Sequence, residues 1–134
     1  MFLPVKSDTG AAIPWEYIPA KAGDYQPGQL LDTTGGMVTA IAAAQAAQPP
    51  YLCMGKVTVG ADGDILPVTR IQHNYIYEAT LGADAGNLAV GDKLGISAGG
   101  LDLDPSAAGV FEVVGVDETT KGSVVRGRWT GGNE

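Results

Sequence analysis

Few side chains in this sequence are equipped for covalent chemistry. There is one cysteine, Cys53, and one histidine, His73. Cys53 stands between Leu52 and Met54 in an apolar run, the setting of a small buried hydrophobe rather than of an activated thiolate. A Cys53–His73 dyad requires contact between the two groups, and their separation along the chain offers no evidence of it. Two carboxylate pairs come next: Asp62 and Asp64 flank a turn glycine, and Asp102 and Asp104 share one strand face. A hard cation such as calcium wants roughly six to eight oxygen ligands, and neither pair has EF-hand spacing around it. A solvated acidic face accounts for both. No Walker loop, dinucleotide fingerprint or zinc-ligand spacing occurs, and Gly35-Gly36 and Gly99-Gly100 lack the strand–loop–helix setting of a phosphate cradle. The residues therefore predict no catalytic group, no metal site and no cofactor, and the chain is expected not to be an enzyme.

What must position these residues is a β scaffold. The 134 residues include 20 glycines and 8 prolines at 45% hydrophobic content, which fits many short strands and tight turns better than long helices. A formal net charge of −7 repels phosphate backbones and anionic lipid, so neither nucleic acid nor a membrane surface is expected as partner. One cysteine excludes an internal disulfide and is compatible with folding in a reducing cytoplasm. Met1–Lys6 is too short for a signal peptide. The weakly apolar run Met37–Ala47 falls short of the roughly 20 residues a membrane-spanning helix needs, which predicts a soluble chain.

Residues 1–23 read as an extended, irregular N-terminal arm. Pro4, Gly10, Pro14 and Pro19 interrupt a ladder or a helix, yet Phe2, Leu3, Ile13, Trp15, Tyr17 and Ile18 are too apolar for an idle tail. Such an arm either folds back over its own core or docks on a partner. Residues 24–134 read as a single β domain. Gln29–Asp32 and Met37–Ile41 form a hairpin around Thr33–Gly36, and Ala40–Ala47 is a loop or one or two helical turns. Strands are expected over Tyr51–Val59, over Ile65–Ile71 with Pro67 marking an edge strand or bulge, and over His73–Leu81, covered on both faces for part of its length. Val110–Asp117 and Ser123–Trp129 follow, then a polar, loose tail from Thr130 to Glu134. The layout Pro27–Val38 returns as Val90–Leu101, Gly28 to Gly91 being 63 positions and Gly35 to Gly99 being 64. A second echo links Gly55 with Gly115 and Gly63 with Gly122. The fold class is mainly β, a small β-barrel or β-sandwich of short strands, and the echoes raise the prospect of two similar β units in tandem.

Three stretches carry a family likeness. They are Ile13–Ala20 leading into Gly28–Leu30, Gly63–Arg70 before the aromatic strand ending Tyr77–Thr80, and Leu88–Leu94 before Gly109–Val114 and Val124–Trp129. This order resembles the small capsid decoration (cement, or head stabilisation) proteins of tailed bacteriophages and related prophages. The resemblance implies a β-rich homotrimer on the outer capsid surface of a virion, made in the host cytoplasm. Its partner would be the major capsid protein, whose neighbouring subunits it would clamp after head expansion. No catalytic residue comes with the family. Phe2, Leu3, Trp15 and Tyr17 are the candidate capsid- or protomer-contact residues, because aromatic groups dominate interface hot spots. The alternative is a small β binding module, a carbohydrate or adhesion domain, with exposed Tyr75, Tyr77 or Trp129 lining its platform. A hydrolase built on Cys53 or the aspartate pairs ranks third.

Overall fold

The computed structural model describes residues 1–131. Its strands are β1 (Phe2–Ser7), β2 (Glu16–Pro19), β3 (Gly23–Tyr25), β4 (Leu30–Thr34), β5 (Met37–Ala40), β6 (Tyr51–Cys53), β7 (Val57–Val59), β8 (Ile65–Arg70), β9 (Tyr75–Thr80), β10 (Lys93–Ile96), β11 (Leu103–Ala108), β12 (Phe111–Val116) and β13 (Val124–Trp129). No helix occurs among the described residues, so the all-β expectation holds. The strands form two antiparallel sheets, ordered β2-β8-β6-β4-β5 and β1-β9-β13-β12-β10-β11, with β3 and β7 as a separate ribbon. The arrangement is sandwich-like, and no barrel closes among the described residues.

The tandem echo is an architectural repeat. Set β1 and the β3–β7 ribbon aside, and each sheet has five strands whose chain-order positions run 1-5-4-2-3 across it. Register repeats as well. Leu31 faces Tyr51 and Tyr51 faces Arg70 in the first unit; Leu94 faces Phe111 and Phe111 faces Trp129 in the second. Each unit curls until the residue after its first strand makes one parallel bridge to its third, Ala20 to Val38 and Leu81 to Leu103. The turns before the last strands match atom for atom. Gly63 N–H donates to Ala20 C=O at 3.0 Å, and Gly122 N–H to Leu81 C=O at 2.8 Å. Both glycines have positive φ, +100° and +86°, which a side chain would strain.

The two units differ in which faces are covered. In the first, Leu31, Val38, Cys53, Leu66 and Val68 point inward and are capped by Tyr25 and Val59 of the ribbon. Leu30, Leu52 and Ile71 point the other way and join the second unit's core of Leu94, Phe111, Val113, Val125 and Trp129. Strands buried on both faces read as adjacent apolar residues, hence Leu30-Leu31 and Leu52-Cys53. Their counterparts, Lys93-Leu94 and Glu112-Val113, alternate because the second unit's outer face meets solvent.

Several local expectations are corrected. The N-terminal stretch is irregular only between Asp8 and Trp15: before it β1 pairs with β9, and after it β2 pairs with β8. Both are the outermost strands of their sheets, where Pro4 and Pro19 need not donate to a second neighbour. Pro67 lies in an interior strand rather than on an edge. It sits just past the last residue of β6, Cys53 opposite Val68, so its missing N–H breaks no ladder bond there. Of the two readings of Ala40–Ala47 the loop holds: Gln45 exchanges backbone hydrogen bonds with Ile96, at 3.1 and 2.9 Å, and tertiary pairing overrides the alanine-rich composition. Tyr75, Ile76 and Tyr77 are buried in succession, as a doubly covered strand requires. Of the expected loose tail, Thr130 is tied to Val110 C=O by both its N–H and its hydroxyl, and residues 132–134 lie outside the described residues.

Candidate interaction surface

The four predicted contact residues separate into three environments. Phe2 is fully buried. Its ring sits 5.9 Å from that of Trp129 and 6.0 Å from that of Phe111, so its apolar area stabilises the protomer and offers nothing to a partner. Leu3, 47% exposed, lies on β1 opposite Glu78, on the solvent face of the second unit. Trp15 and Tyr17, 53% and 62% exposed, belong to the first unit.

Around Tyr17 the register builds an apolar shelf. Tyr17 faces Pro67 and Pro19 faces Ile65 across the β2–β8 pair. Cross-strand partners share a face, so Tyr17, Pro19, Ile65 and Pro67 stand together there, while Ile18, Leu66 and Val68 turn into the core. Ile65 is 60% exposed. Two residues before Tyr17 and just outside β2, the exposed Trp15 extends the apolar sequence. Its neighbour Pro14 is held by Thr69, whose buried hydroxyl donates to Pro14 C=O at 2.8 Å. On the opposite face of β8, Arg70 donates twice to Glu16 at 3.3 Å and stacks 5.4 Å over the ring of Tyr51. Ile65, Pro67 and Pro19 are the members sequence reasoning missed. The signal was present in the doublet Ile65-Leu66, which gives β8 an apolar residue on each face.

The internal repeat supplies a control for this shelf. By register, Tyr17 and Pro67 correspond to Glu78 and Arg126, which face each other across β9 and β13 and form an ion pair at 3.6 Å. The same place in the same fold is charged in one unit and apolar in the other. The scaffold therefore does not require the apolar shelf.

Elsewhere the polar candidates are engaged within the chain. Cys53 is buried, and its Sγ–H donates to Gly55 C=O at 3.1 Å; burial pushes its thiol pKa up, away from the reactive thiolate. Asp62 accepts from the Ala22 N–H at 2.8 Å and from Lys21 at 3.2 Å, the two contacts that hold its carboxyl below the usual range. Asp102 accepts from the Thr80 hydroxyl, and Asp104 from Ser106. No group of three metal-ligating side chains converges among the described residues. The aromatic platform of the binding-module alternative is overturned, because Tyr75, Tyr77 and Trp129 are all buried.

No family model and no curated protein matches the chain. Among solved structures it is similar to the N base of head fiber gp8.5 in bacteriophage phi29. That likeness has a TM-score of 0.56 at 19% identity and covers 87% of this chain and 95% of the other. It is a likeness of fold.

Proposed function

We propose that this chain is a structural protein of a phage head, attached to the outer capsid surface and cementing neighbouring major capsid subunits, acting as a trimer and without catalysis. The observation that carries this reading is the fold shared with a head fiber base across nearly the whole of both chains. The shelf of Trp15, Tyr17 and Ile65 supports it, since exposed aromatics over an otherwise charged scaffold are what a docking surface needs. Three linked contacts of modest strength raise avidity by about 10²–10⁴ if all can engage together. The test is to add purified protein to expanded heads that lack it. Saturable co-sedimentation at a fixed ratio to the capsid protein is expected; no association with expanded heads would refute the proposal.

A further inference from the structure

The second unit shows what the first unit's open edge is shaped to receive. Beside β9 lies β1, antiparallel, covering Tyr75–Ala79. The matching residues of the first unit are Pro14–Ile18, and among the described residues β2 has a strand on one side only. Direction follows from the hydrogen bonds at its end. Ala20 N–H bonds Asp64 on the β8 side, and Lys21 N–H bonds Val38 on the other. Backbone groups alternate along an antiparallel strand, so the Tyr17 N–H and C=O point away from β8, as those of Lys21 do. In the second unit the same outward row carries Thr80, whose N–H bonds Met1 C=O at 3.2 Å, and Glu78, which faces Leu3.

We propose that the edge over Pro14–Ile18, formed by β2 and the two residues before it, accepts an extended strand, laid antiparallel as β1 is laid on β9, and that the strand comes from the head shell protein. The inference rests on the proposed head attachment and adds its mode. The incoming segment would carry apolar residues at alternate positions, to lie over the Tyr17–Pro67 shelf. It would be neutral or basic. The chain is at −7, and the charges nearest the edge are already paired, Glu16 with Arg70 and Lys21 with Asp62. A second copy of this acidic chain is the poorer match.

Two substitutions at one position separate backbone from side chain. Tyr17→Ala and Tyr17→Pro both remove the ring, but only the proline removes the outward N–H, at an edge position where proline is tolerated. Binding of each full-length variant to expanded heads is titrated beside wild type, with near-ultraviolet circular dichroism as the check of folding. Losing one hydrogen bond and the strand geometry should leave Tyr17→Pro about tenfold weaker than Tyr17→Ala. Equal binding by the two variants overturns strand addition while leaving head attachment standing, and failure of wild type to bind overturns both. An oligomer of wild type that Tyr17→Pro alone dissociates, seen by analytical ultracentrifugation, would assign the edge to a second copy and overturn the shell strand. Should Tyr17→Pro not fold, hydrogen exchange decides: the Tyr17 amide of wild type must gain protection when heads are added, and an unchanged rate rejects the proposal.

Discussion

At the scale of single residues, Cys53, Asp8 and Asp62 each bond within their own chain. The Cys53 thiol has its pKa raised by burial and donates a hydrogen bond to the Gly55 carbonyl. A thiol-alkylating reagent should therefore leave Cys53 unmodified at pH 7–8 in the folded protein and label it completely in denaturant; fast labelling of the native state would contradict this. Asp8 and Asp62 contribute to the acid behaviour. The Arg128 hydrogen bond, at 3.0 Å, holds the Asp8 carboxyl below its ordinary range, and Ala22 N–H with Lys21 does the same for Asp62. A carboxyl depressed in the folded state adds stability above its unfolded pKa of about 4, and that stability is lost as pH falls through the folded value. Melting temperature should thus be insensitive to these two groups from pH 8 to 5 and drop below about pH 4. Asp8→Asn with Asp62→Asn should lower the plateau and flatten the drop, as thermal melts across pH will show. That Cys53 is structural was legible from its neighbours Leu52 and Met54. The partners of Asp62 were not, because Lys21 and Ala22 reach it only through the fold.

At the scale of the strands, composition and turn glycines declared the β class and the repeat, while the pairing of edges stayed hidden. Gly28/Gly91 and Gly63/Gly122 recur because the same turns recur. What proline could not reveal is whether a strand has one neighbour or two, and this is why Pro4, Pro19 and Pro67 were misread. Gly127 shows how tightly one register is specified. It stands on β13 where the first unit has Val68, and a Cβ there would come 2.3 Å from the Phe111 ring and 2.5 Å from Glu112 C=O. That close approach leaves space for the rings of Phe111 and Trp129, 5.0 Å apart. Gly127→Ala should cost about 1–3 kcal/mol through overpacking, measured by urea unfolding; a cost below about 0.5 kcal/mol, the range of an ordinary surface change, would show the contact to be soft.

At the scale of the whole molecule, one repeated unit has been turned to two uses. The second unit keeps a charged outer face, with Glu78 facing Arg126 and Glu112 facing Arg128. The first buries one part of that face against its sibling and exposes another as the Trp15–Tyr17–Ile65 shelf. Trp15 and Tyr17 were legible as contact candidates from their type and their proline-rich setting. Phe2 was not legible as core, since only the β1–β9 pairing turns it inward beside Trp129. Head attachment by this protein depends on whether that shelf holds the shell. Expanded heads are titrated with wild type, Trp15→Ala and Val124→Ala, each variant melted in parallel. Val124 corresponds by register to Ile65 and is 49% exposed on the other unit. Removing an exposed hot-spot aromatic costs about 2 kcal/mol or more of binding, roughly 30-fold, so Trp15→Ala should bind at least that much more weakly at an unchanged melting temperature, with Val124→Ala binding as wild type. Trp15→Ala that binds heads as tightly as wild type would contradict the account.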